Sequence, residues 1–97
     1  NRGQVHKVAV AVDASLAAVT QAARDGANLL LVHHGLFWGG AQPLTGVPYT
    51  KFRTLFDADI AVYSTHLPLD AHPTLGNNVQ LAAALGLTAT AGFARFK

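Results

Sequence analysis

Three short apolar blocks constrain this chain more than any other feature: Lys7 to Val12 (KVAVAV), Asn28 to Val32 (NLLLV) and Ile60 to Thr65 (IAVYST). Each is too short to pack as a helix and is bounded by turn-forming or polar residues. Near-continuous apolar runs of this length read as strands buried on both faces, as in parallel sheets. Between the first two blocks, Leu16, Val19, Thr20 and Ala23 recur at i, i+3, i+4 and i+7. That spacing predicts a helix over 15–25, capped by Asp13 or Ser15 and closed by Gly26. Phe52, Leu55 and Phe56 give a second helix, over 49–57, its apolar side. A third is expected over 77–85, with Asn77 as N-cap and Gly86 just past its end. The order β-α-β-α-β-α predicts an α/β fold, a three-layer α/β/α arrangement around a mostly parallel, mixed sheet. Strands near 7–12, 29–33 and 60–65 should lie side by side and parallel. Gly35 to Pro48 and His66 to Gly76 read as irregular stretches, and long loops of this kind are usually functional or disordered. Residues 88–97 are expected to form a fourth strand.

The chain has 97 residues, enough for one small domain or part of a larger one. Hydrophobic residues make up 51% and charged residues 12%, the latter against a usual ~25%. Intrinsic disorder is excluded. So few charges cannot coat a small globule, and some surface is expected to face other protein. The chain lacks Met and Glu, starts at Asn1 and stops in mid-pattern, so it reads as a piece of a longer polypeptide. It has no cysteine, which rules out disulfides, thiolate metal sites and Cys nucleophiles. Its apolar runs are far shorter than the ~18 residues that span a bilayer, so no membrane role is expected. Lys and Arg are scattered, so charge gives nucleic-acid binding no support.

Ligands of parallel α/β sheets bind at the carboxyl ends of the strands. Strand one ends at Asp13, strand two at His33-His34, and strand three at Thr65-His66 with Asp70 four residues on. Neighbours on a regular strand point to opposite faces, but at a strand end both imidazoles can turn into one cleft. Two metal ions a few ångströms apart could then take one ring each. The plainer reading is a pair of half-buried histidines bonded to backbone. A carboxylate such as Asp70 can bridge two divalent ions, or simply cap a loop. Asp13 either orients a ligand histidine or caps its helix. Trp38 either stacks on a substrate, meets a partner subunit or anchors its loop over the core.

Two segments carry a family resemblance: Leu31-Val32-His33-His34-Gly35-Leu36-Phe37-Trp38, and Ser64-Thr65-His66-Leu67-Pro68-Leu69-Asp70-Ala71-His72 followed by Gly76-Asn77-Asn78. Together they resemble the Nif-three-like family, also called the YbgI-type or GTP cyclohydrolase 1 type 2 homologue family. The likeness covers essentially the whole chain. It implies that residues 1–97 belong to an N-terminal metal-binding α/β domain, one of two intertwined repeats, with 88–97 leading into the second half. It implies two divalent metal ions (Zn, Fe, Mn, Co or Ni), with His33, His34 and Asp70 as ligands and His66 as the catalytic, proton-handling residue. The family completes its site with a His and a Glu near the C-terminus, and this chain has no Glu. A homohexamer, a small-molecule substrate and a cytoplasmic location are the matching expectations. The function implied is a metal-dependent hydrolase, GTP cyclohydrolase-like or acting on a phosphoester or nucleotide. The alternative is a non-enzymatic metal-binding scaffold or regulatory interaction protein.

Overall fold

The computed structural model describes residues 1–92. Its elements run β1 (Val8–Asp13), α1 (Leu16–Arg24), β2 (Leu29–His34), α2 (Gly46–Asp57), β3 (Ala61–Ser64), α3 (His66–Asp70) and α4 (Asn77–Ala84). The strands form one sheet in the order β1-β2-β3, and both pairings are parallel. The α/β expectation holds, with each strand within about two residues of its expected bounds. The chain divides into two compact units, residues 1–66 and the remainder from Leu67 on.

The core of the first unit explains its packing. Val19 and Ala22 of α1, Leu55 of α2 and Ile60 before β3 are buried with Leu30 and Val32 of β2. Ala9 and Ala11 of β1 and Val62 of β3 pack against this cluster. These strand residues alternate, as the two-residue period of a strand requires. Burial on both faces of β1 was expected, and there the structure differs. Val10 is 75% exposed, and Val8 and Val12 are also exposed. The core that α1 and α2 complete lies on the Ala9 and Ala11 side, and the valines point the other way.

Local chemistry sets the helix starts. Ser15, not Asp13, caps α1: its Oγ accepts a bond of 3.1 Å from the Ala18 N–H. The second helix starts at Gly46, three residues before the expected Tyr49. Pro48 falls in its first turn, where the N–H that proline lacks would have no partner anyway.

From His66 on, α3 forms where the sequence predicts an irregular stretch, and Pro68 again occupies a first turn. Gly76, not Asn77, is the N-cap of α4. A Cβ on Gly76 would lie 2.6 Å from the His72 carbonyl oxygen and 2.8 Å from that of Leu69. This close approach excludes any side chain at the cap position. Residues 88–92 are not in a strand, and the rest of the expected fourth strand lies outside the described residues.

Candidate metal centre

The carboxyl edge of the sheet collects three imidazoles. His33 and His34 close β2, and His66 opens α3 two residues beyond β3. One ligand atom from each lies within 4.8 Å of the others, the one such group among the described residues. The ring centroids are 4.7 Å (His33–His34), 5.0 Å (His33–His66) and 5.1 Å (His34–His66) apart. All three side chains are half-buried.

Parallel pairing produces this convergence. Asp13 is the register partner of His34, and the Ala14 N–H bonds the His34 carbonyl at 3.2 Å. On the other side, the Thr65 N–H bonds the Val32 carbonyl at 3.2 Å. The Ser64 hydroxyl donates to the His33 carbonyl at 3.0 Å. The chain leaves β2 through Gly35, where a Cβ would meet the Ser64 Cβ at 2.9 Å and its Oγ at 3.0 Å. Glycine is needed there because the turn runs directly against β3.

Asp13 acts on His34 and not as a helix cap. Its Oδ1 lies 2.6 Å from His34 Nδ1. An ionised carboxylate only accepts hydrogen bonds, so Nδ1 carries the proton. In the neutral ring, Nε2 is then a lone-pair donor. Carboxylate–imidazole pairs of this kind orient metal-ligating histidines and raise their basicity.

The donor set fits a metal. Imidazole nitrogens suit Zn, Fe or Ni among other divalent metals. Metal–nitrogen bonds of ~2.0–2.1 Å put two ligand atoms on one ion at most about 4 Å apart, so a separation up to the observed limit needs only a small ring shift or a second ion. His66, expected as the proton-handling residue, offers a ligand atom within the same 4.8 Å limit. Asp70 ends α3 in the second unit, where its Oδ1 accepts a 3.3 Å bond from the Asn77 amide.

Trp38 also belongs to this edge. Its indole meets the His34 ring at 4.7 Å and 73°. It lies within 21° of parallel to the His66 ring, with centroids 6.0 Å apart. The sequence marks Trp38 as lying in a loop near the site, but no spacing rule identifies Ser64 or its bond to His33.

A parallel α/β unit with a histidine cluster at the carboxyl edge defines a class of candidate metal-binding proteins. The chain belongs to the Duf34/NIF3 (NGG1p interacting factor 3) family, whose profile matches residues 1–96. It is 59% identical over 83 residues to the GTP cyclohydrolase 1 type 2 homolog of Treponema pallidum, covering 86% of this chain and 29% of that protein. The Escherichia coli K12 protein of the same name is 51% identical over 85 residues, covering 87% of this chain and 34% of that one. Among solved structures, reduced HcgD from Methanocaldococcus jannaschii superposes with a TM-score of 0.81 at 33% identity, covering 90% of this chain and 35% of that chain. The chain thus spans about a third of the length of these relatives. Among the described residues, no helix is long and apolar enough to cross a membrane.

Proposed function

We propose that the chain supplies the first ligands of a dinuclear metal site in a metal-dependent hydrolase. The observation that carries this reading is the three-imidazole cluster with Asp13 bonded to His34. In this reading His33, His34 and Asp70 would hold the two divalent ions, and His66 would handle the proton. When bound, such a metal pair lowers the pKa of a water and clamps the oxygen that develops charge. Asp13 fixes the His34 tautomer, and the half-buried setting limits competition from bulk water. The relatives' printed name supports a GTP cyclohydrolase-like substrate, and a phosphoester or nucleotide falls in the same class. A homohexamer in the cytoplasm is part of the proposal.

The second reading is a non-enzymatic metal-binding scaffold or regulatory protein. The exposed Val8, Val10 and Val12 face favours it, because such a face suits protein contact. Metal analysis of the purified protein, followed by a hydrolase screen with Asp70→Ala as control, separates the two. Bound metal with turnover that Asp70→Ala abolishes supports the hydrolase. Bound metal without turnover on any phosphoester or nucleotide supports the scaffold.

A further inference from the structure

Beside the histidine cluster lies an open cavity of about 360 Å³. That volume is at the small end of ordinary ligand sites, which run to ~300–1,000 Å³. Leu36 and Val62 give it apolar walls, Phe37 and Trp38 flank it, and Ser64 and His66 supply its polar groups. Most of its lining is apolar, although it sits next to three imidazoles. A site built only to hold a hydrated ion or a bare phosphate would have no use for that lining.

Trp38 is the unusual residue. The residue is 58% exposed even though its ring meets two of the three histidines. Phe37, its neighbour, is similarly exposed and meets Phe52 of α2 at 5.8 Å. The turn is held by backbone bonds from Trp38 N–H to the Gly35 carbonyl and from Gly40 N–H to the Phe37 carbonyl. The indole is thus fixed at one edge and open at its surface.

We propose that Trp38 and this cavity bind a planar heteroaromatic ring of the substrate. The proposal rests on the metal reading for where the substrate's polar end goes. A flat ring laid on the indole lies within about 21° of the His66 plane, since Trp38 and His66 are nearly parallel. Stacking is indifferent to which ring it holds, because every base has a π-face. The ring therefore sets substrate class through Trp38, while an oxygen or phosphate substituent at its rim meets the histidine cluster. Ser64, already donating to the His33 carbonyl, is a hydroxyl acceptor for a ring N–H. Trp38 is a specificity residue in this scheme and takes no part in proton transfer.

The test compares GMP with ribose 5-phosphate, which share the phosphate and the sugar and differ in the ring. Binding is read by calorimetry on zinc-loaded and metal-free protein. GMP should bind about tenfold or more tightly than ribose 5-phosphate, as expected for one stacked base. Trp38→Leu should erase that ratio, while Trp38→Phe should keep most of it. Equal affinity of wild type for the two compounds overturns the proposal without any variant. A ratio unchanged in a folded Trp38→Leu protein also overturns it, and leaves the indole as a cover for the histidines. His34→Ala separates the two readings: it should weaken both compounds alike and preserve their ratio. A wild type that keeps the ratio but binds no zinc refutes the metal site and leaves ring recognition standing.

Discussion

Asp13 Oδ1 accepts a hydrogen bond of 2.6 Å from His34 Nδ1 across neighbouring parallel strands. The bond joins the end of β1 to the end of β2 and leaves His34 Nε2 as the ring nitrogen that could hold a metal ion. Asp13→Ala should weaken divalent metal binding ~10–100-fold, the usual effect of removing such a partner. Asp13→Asn should fall in between, since a carbonyl oxygen still accepts the bond without the charge. Calorimetric Zn²⁺ titration of both variants checks this. Unchanged affinity in Asp13→Ala would show that the pair serves only the fold.

His66 is the proposed proton-handling residue, and its removal tests that role apart from metal retention. In His66→Ala, turnover should fall ~10²–10⁴-fold, as for a lost general acid–base group, while metal content stays near wild type. Metal analysis alongside kinetics decides the matter. Loss of metal together with activity would make His66 a ligand like His33 and His34.

Much of this site is legible from the sequence. The His33-His34 pair closes one strand and His66 follows the end of the next, and parallel pairing brings the two strand ends together. Two details are not legible. Asp13 and Ser15 both fit a helix cap by type, and only the observed bond from Ala18 to Ser15 frees Asp13 for His34. Asn77 has the chemistry of a cap, but the close approach of Gly76 to the Leu69 and His72 carbonyls takes that position. Such crowding is tertiary and has no local signature. The same limit applies to Val8, Val10 and Val12: hydropathy marks them as apolar but not which strand face is covered.

Gly35 allows the chain to turn from β2 toward Trp38. Gly35→Ala places a Cβ 2.9 Å from the Ser64 Cβ, and overpacking of this kind costs ~1–3 kcal/mol. Thermal unfolding should show a lower Tm, and Ser64→Gly in the same chain should recover part of the loss. A neutral Gly35→Ala change would mean that β3 yields freely.

The pH response of the amino-terminal segment follows from Asp59. The Arg2 backbone N–H lies 3.1 and 3.0 Å from its two carboxylate oxygens, with the Arg2 guanidinium 3.4 Å away. Chiefly through the backbone bond, this lowers the Asp59 pKa from its ordinary value. A depressed folded-state pKa favours the folded chain above the unfolded value of ~3.9, and that benefit is lost as pH falls through the folded pKa. Asp59 has φ 52°, and asparagine tolerates that region, so Asp59→Asn isolates the charge. The stability difference between the two proteins should be constant near neutrality, start to shrink as pH falls past about 4, and vanish only below the depressed folded-state pKa. A difference that persists at pH 2 would contradict this assignment.

His33 and His34 are the proposed metal ligands. The most direct measurement is titration of Zn²⁺ or Mn²⁺ into the protein, read by calorimetry with elemental analysis, beside His33→Ala and His34→Ala variants. The wild type should bind divalent ion, and each variant, with its fold retained by circular dichroism, should lose at least the ~10–100-fold in affinity that even an outer partner's removal costs. Wild-type affinity and stoichiometry in both folded variants would contradict it.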